Sequence, residues 1–233
     1  MKFPKELIKE LEKRYYKYWW KDDEELNYKE ISSDLFKHLI FTILSQNTSN
    51  NNTRRAYISL KKHYSIDPFT LSKLDPKELS EVIKPGGLHN IKANRIIKVS
   101  KFIIENYEGD IKRILSFSKE EIRKKLLEIE GIGEKTADVI MSSLFGHKEY
   151  FVVDTHMRRI AIRLGLVNEK ANYNEIQKAL KEFLPLEEDD EKIWLLFWFL
   201  AKYTCNSRKP KCEECILNNI CKYYKGKTIV PSS

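Results

Sequence analysis

The chain has 233 residues, with 42 Lys and Arg against 34 Asp and Glu and a formal net charge of +8. That length suffices for one large or two modest domains with a real core, and the basic excess favours a polyanionic partner without choosing between DNA and RNA. No apolar run reaches transmembrane length and residues 1–20 are charged and aromatic, which excludes a membrane span or secretory signal and predicts a soluble, cytoplasmic protein.

Residues 1–30 carry a Lys/Glu-rich helix with Leu7, Leu11, Tyr15 and Trp19 at helical spacing. The YYKYWW run at 15–20 reads as a packing face rather than a base-stacking platform, since aromatics mostly serve cores. Ser33 or Asp34 opens the next helix, whose buried stripe is Phe36, Leu39, Ile40, Ile43 and Leu44. The polar run SQNTSNNNT at 45–53 reads as a loop. A helix then runs over Arg54–Tyr64 with Ala56, Tyr57 and Leu60 inward. Asp75-Pro76-Lys77-Glu78 combines a cap, a first-turn proline and a capping glutamate, leading to Leu79, Val82 and Ile83. Lys84-Pro85-Gly86-Gly87 breaks the chain before Leu88. A long helix over Asn90–Asn106 follows, with Ala93, Ile96, Ile97, Ile103 and Ile104 toward the core.

The stretch Leu126–His156 is the densest in signals. A helix opens at Ser118 with Glu121 at capping-box spacing and continues through Ile122, Leu126 and Ile129. A second carries Ala137, Ile140, Met141, Leu144 and Phe145 on one face and stops at Gly146. Between them Glu130-Gly131-Ile132-Gly133-Glu134 permits a tight reversal with positive φ, Ile132 plugging the gap. Such a turn is an ordinary helix connection, or a phosphate site built from free N–H groups at the second helix's start. Lys135 falls in that helix's first turn. It is either a solvated surface lysine or an amine nucleophile, because a helix N-terminus and desolvation both favour the neutral amine. Asp154 follows the apolar extended run Tyr150–Val153 and precedes Met157, Ile160, Ala161 and Leu164. Alone it is an N-cap, and a rigidly held one that could face Lys135 across a cleft.

After Gly165 comes a helix near Asn174–Phe183, then EEDDE at 187–191 as a solvated cap, then the apolar helix Ile193–Tyr203, too short to span a bilayer. The four cysteines follow as Cys205-x6-Cys212-x2-Cys215-x5-Cys221, clustered rather than spread as in a disulfide framework. They predict a metal site, zinc or iron–sulfur. Arg208, Lys209 and Lys211 sit on the short loop between the first two ligands. About ten helices with short loops, and no internal repeat, predict an all-α protein.

The IEGIGEKTADV hairpin with its lysine, the VDTH segment and the spacing of the cysteine cluster resemble the endonuclease III family, DNA glycosylase/AP lyases of the helix–hairpin–helix superfamily. The resemblance runs in order from about Leu35 to Cys221. It implies a two-lobed fold, with a six-helix barrel over residues 31–148 and a [4Fe–4S] cluster lobe made of 1–30 and 149–233. It implies Lys135 and Asp154 as the catalytic pair and Cys205, Cys212, Cys215 and Cys221 as cluster ligands. Gln46 or Asn47 would fill the gap left by an extruded base, and Leu88, on a GLYxxKA-like turn with His89 in place of the usual Tyr, would wedge into the stack. Gly131, Gly133, His156, Arg208, Lys209 and Lys211 complete the implied DNA contacts.

The implied partner is double-stranded DNA with a damaged base or abasic site, met by a monomer in the cytoplasm at the nucleoid. The implied reaction is removal of oxidised pyrimidines by lysine attack and strand cutting by β-elimination. Three other readings stand beside it: a monofunctional mismatch (thymine/uracil or adenine) glycosylase, a non-catalytic damaged-DNA-binding protein and an RNA-binding zinc protein. Lys135 argues against the first, because relatives that only remove a base carry another residue there. The adenine-specific kind also has a further C-terminal domain, whereas this chain ends a dozen residues after Cys221.

Overall fold

A computed structural model describes residues 2–18 and 25–228, so Trp19 and Trp20 of the aromatic run lie outside the described residues. Among the described residues there is no strand, and thirteen α-helices follow one another. They are α1 (Ile8–Tyr15), α2 (Tyr28–Ser33), α3 (Leu35–Ser45), α4 (Asn50–His63), α5 (Pro68–Leu71), α6 (Pro76–Val82), α7 (His89–Tyr107), α8 (Lys119–Glu128), α9 (Glu134–Phe145), α10 (Thr155–Leu164), α11 (Tyr173–Phe183), α12 (Asp190–Phe199) and α13 (Lys222–Thr228). The chain divides into two compact units, Lys21–Met141 and Met1–Trp20 with Ser142–Ser233. No helix among the described residues is long and apolar enough to cross a membrane.

Short polar side chains set most of the helix starts, as caps do when they accept from otherwise orphaned N–H groups. Asp34, Asp67, Asp75, Asp154 and Asp189 each cap the helix that follows. Ser118 and Asn172 form full capping boxes with Glu121 and Glu175. Ser49 does the same work at α4, accepting from Asn52 N–H, and this shortens the expected 45–53 loop. Ser45 ends α3 and residues 50–53 are already helical, so the true turn is Gln46–Ser49. Helices α2 and α5, of six and four residues, carry too little periodicity to stand out in sequence.

In the first unit α3 is buried almost throughout, with Leu39, Ile40, Ile43 and Leu44 at its centre. The long α7 packs on α3, α5 and α6 through Ala93, Ile96, Val99 and Ile103. In the second unit one apolar cluster joins Leu11 and Tyr15 of α1 to Met157, Ile160 and Leu164 of α10, Ile176 and Leu180 of α11 and Leu196 and Phe197 of α12. Tyr15 also meets Thr204 through its hydroxyl at 2.6 Å, so this tyrosine serves packing, while Tyr16 is 74% exposed. Helix α12 ends earlier than its sequence pattern indicates. From Leu200 to Thr204 the chain widens into a single π turn that leads into Cys205.

Candidate active site and DNA-contact turns

The hairpin forms as the glycines require, but only one of them takes the left-handed conformation. Gly131 has φ of 89°, and a side chain there would collide with Arg95 at 2.8 Å. Gly133 has no positive φ, is exposed and would accommodate a Cβ with nothing within 4 Å. One left-handed residue therefore suffices for the reversal. Ile132, the expected plug, is buried at 5% exposure. Below it the Arg123 guanidinium of α8 grips the wholly buried Asp138 of α9, with Nε to Oδ1 at 2.7 Å. Lys135 stands exposed in the first turn of α9.

Gln46 and Asn47 have different surroundings. The Gln46 amide nitrogen donates to the Gly131 carbonyl at 3.3 Å and to Thr136 Oγ1 at 3.2 Å, while its Oε1 accepts from Arg95 at 2.6 Å. It ties the end of α3 to the hairpin. Asn47 is exposed in a left-handed conformation, with φ of 51°. Leu88 is also left-handed, with φ of 49°, and 49% exposed at the tip of its turn. His89 Nδ1 lies 2.6 Å from Ser80 Oγ, which donates to Asn90 Oδ1 at 2.6 Å, so these contacts hold the turn to α6.

Lys92 was missed in sequence. It is 1% exposed, and its ammonium donates to Leu44 O at 2.7 Å and Gly86 O at 2.9 Å, bracing both turns from behind. Burial, with Arg95 nearby, lowers its pKa to about 8. A signal was present, because position 92 lies four residues before Ile96 on the buried stripe.

Asp154 caps α10: its Oδ1 accepts from His156 N–H at 2.9 Å and Met157 N–H at 2.8 Å. Its Oδ2 accepts from the Trp198 indole at 2.7 Å. His156 stands edge-on to Trp198, with ring centroids 5.7 Å apart. Lys202, also missed in sequence, lies 4.3 Å from the Trp198 ring centroid. Burial lowers its pKa, and the Asp154 charge opposes that shift. Lys135 belongs to the unit Lys21–Met141 and Asp154 to the other.

The four cysteines line one hollow together with Arg163, Thr204 and Tyr223. Burial pushes the Cys215 thiol up to about 11, and the other three thiols add to the shift. Among the described residues no three His, Cys, Asp or Glu side chains gather around a point that would hold a single metal ion. The donors facing the hollow are thiols without a carboxylate, a set that fits an iron–sulfur group. The loop that carries Arg208, Lys209 and Lys211, all exposed, is pinned by more than its cysteines. Arg159 donates to Cys205 O at 2.8 Å, and Arg163 to Asn206 O at 2.7 Å and Ser207 O at 3.0 Å. These arginines come from α10, the helix that Asp154 caps.

Residues 40–186 match the profile of the HhH-GPD superfamily of base excision DNA repair proteins. Endonuclease III of Thermotoga maritima is 34% identical over 225 residues, covering 94% of this chain and 92% of that one. A Methanocaldococcus jannaschii protein, provisionally named a DNA repair glycosylase, is 35% identical over 191 residues, 80% of this chain and 84% of its own. Among solved structures, a trapped covalent intermediate of endonuclease III with DNA superposes with a TM-score of 0.76 at 26% identity, covering 96% of both chains. A thermostable thymine-DNA glycosylase, at 22% identity and a TM-score of 0.71, shares the fold. With a family profile over most of its length and close relatives matched nearly end to end, this chain belongs to the endonuclease III family of the HhH-GPD base excision DNA repair superfamily.

Proposed function

We propose that this DNA glycosylase/AP lyase removes oxidised pyrimidines from double-stranded DNA, with Lys135 as nucleophile and Asp154 as the carboxylate that stabilises positive charge on the sugar. The observation that carries this reading is Lys135 itself, exposed in the first turn of α9 directly after the left-handed turn at Gly131. A relative solved as a covalent intermediate with DNA supports a covalent mechanism here as well.

The target nucleotide must leave the stack before any side chain can reach its sugar. The Lys135 amine, in its neutral form, then attacks C1′. The C1′–N bond breaks, and the base departs with the electron pair and takes up a proton. Opening of the sugar ring leaves a Schiff base between C1′ and Nζ. That imine accepts electrons as a proton is lost from C2′, and the C3′–O bond breaks with the phosphate as leaving group. Water then releases the lysine. Asp154 answers the positive charge that builds on the sugar as the base leaves.

Leu88 acts as the apolar wedge, mounted in a left-handed conformation on a turn that Lys92 holds through the Gly86 carbonyl. Asn47 fills the gap of the extruded base, because the Gln46 amide is already engaged with the hairpin and Arg95. Backbone N–H groups near Gly131 and Gly133, together with His156, Arg208, Lys209 and Lys211, meet the phosphate backbone. Cys205, Cys212, Cys215 and Cys221, which line one hollow, would hold a [4Fe–4S] cluster. When bound, it supplies a rigid cross-link for the basic loop.

Borohydride trapping on duplex DNA with one abasic site tests the reading. The parent forms a covalent adduct. Lys135→Gln forms none, and its strand cutting falls by about 10³-fold or more. Trapping of Lys135→Gln at the parental rate would place the nucleophile elsewhere. A panel of duplexes, each with one defined lesion or mismatch, then tests the preference for oxidised pyrimidines.

A further inference from the structure

An ionised carboxylate offers about four lone-pair positions. Three of those on Asp154 are taken: two by the backbone N–H groups of His156 and Met157 on Oδ1, and one by the Trp198 indole on Oδ2. The first two belong to any aspartate cap. The third comes from α12, 44 residues along the chain. An indole N–H only donates, so this contact serves the charged carboxylate and cannot reverse.

The indole could have been satisfied more simply. Its neighbour Trp194 donates to a backbone carbonyl, that of Val152, at 3.0 Å. Trp198 reaches a side-chain anion instead, and its ring is held on several sides. Trp194 stacks on it at 6.2 Å with planes 16° apart, His156 meets it edge-on, and Phe199 lies 5.7 Å away. The Lys202 ammonium sits over the ring at 4.3 Å. His147 extends the stack behind Trp194 at 4.6 Å. A ring clamped in this way does not swing to follow a moving carboxylate; it dictates where the carboxylate points. The charged side chains around the aspartate are cations: Arg159 on its own helix, and Lys202 on the segment after α12.

We propose that Trp198 is a positioning residue for Asp154, its indole N–H fixing Oδ2 so that one open lone pair of an anchored anion is presented to the sugar. This deepens the catalytic reading of Asp154 and rests on it.

The test is single-turnover base release from a duplex carrying one thymine glycol, with binding measured separately on a duplex holding a tetrahydrofuran abasic analogue. Trp198→Phe keeps the ring and loses the N–H. We expect base release to slow about 10- to 100-fold, the cost of losing a hydrogen bond to a charged group, with duplex binding unchanged. Trp198→His places Nε2 where the indole carries Nε1 and recovers part of the rate. On an Asp154→Asn background, Trp198→Phe adds no further loss. Base release at the parental rate in Trp198→Phe, a loss that follows weakened binding, or an equal further loss on Asp154→Asn would each overturn the inference. If Asp154→Asn itself releases base at the parental rate, the reading of Asp154 fails instead.

Discussion

The hairpin that presents Lys135 and the helix start that presents Asp154 are built on opposite plans. The hairpin is local: one left-handed glycine, one apolar plug and a first helical turn, all within seven residues, deliver an exposed amine. The aspartate is held by three hydrogen bonds and depends on an aromatic wall more than forty residues away. The chemistry proposed for the two residues accounts for the difference. A nucleophile must advance on carbon, lose and regain protons and become part of an adduct, so it gains from freedom. A carboxylate that only answers charge works best when it does not move.

The contrast can be broken most severely beneath the hairpin. Arg123→Met removes the guanidinium from the wholly buried Asp138 carboxylate, and we expect a loss of about 3–5 kcal/mol in denaturant unfolding, the usual cost of breaking a buried ion pair. Because the pair joins α8 to α9, the amine's mount should fail while the Asp154 cap stays intact. Preserved stability in Arg123→Met would mean that the hairpin holds itself without help from below.

Lys92 gives the next effect, and its sign is fixed by its pKa. Folding lowers that value from 10.5 to about 8, so between those limits the unfolded chain binds more protons than the folded one. Stability therefore rises with pH across that window, and below about 8 the cost of burying the cation is carried in full. Lys92→Met should lack this rise. Unfolding free energies of parent and variant should diverge by on the order of 2–3 kcal/mol between pH 7 and pH 10.5. A constant difference would show that the ammonium is better solvated than its contacts indicate.

The same contrast explains what the sequence could reveal. The hairpin was legible because glycine, plug and lysine are neighbours in the chain, and Asp154 was legible as a cap because capping is local. Trp198 reads only as one more aromatic of an apolar helix, since its partner lies 44 residues away. Gln46 reaches across 85 residues to the Gly131 carbonyl, an engagement that no local pattern in the sequence announces. Lys92 reads as solvated because lysine almost always is, although its place on the α7 stripe pointed inward. The polar run at 45–53 misled for a different reason: Ser49 begins a helix there, and composition alone does not distinguish a cap from a loop.

The aromatic wall around Asp154 has a weak point of its own. His147 stacks on Trp194, but its buried Nδ1 has no hydrogen-bond partner, and burial holds its pKa at about 4. The folded state thus resists protonation that the unfolded chain accepts from about pH 6.5 downward, and stability falls as the solution is acidified. His147→Phe keeps the stack and removes both the unsatisfied nitrogen and the titration. At pH 5 it should be more stable than the parent by about 2 kcal/mol, with a smaller gain at pH 8. An equal gain at both values would assign the effect to packing alone.

The smallest effect separates two adjacent amides. Gln46→Ala breaks hydrogen bonds to Gly131, Thr136 and Arg95. It should cost about 1–2 kcal/mol of stability, since each net hydrogen bond contributes about 1 kcal/mol and water replaces part of the loss in a half-buried site. Asn47 lies exposed at its turn but in the left-handed region, where alanine is strained, so Asn47→Ala should cost about 1 kcal/mol through the backbone alone. On DNA the order reverses. Asn47→Ala should weaken binding to an abasic-analogue duplex several-fold, because the orphaned base opposite the gap loses its donor and acceptor. Gln46→Ala should act on DNA only as far as it loosens the hairpin, so its binding defect should shrink when temperature is lowered and the fold tightens. If Gln46→Ala loses affinity while keeping full stability, the filler is Gln46 and the network around it is incidental.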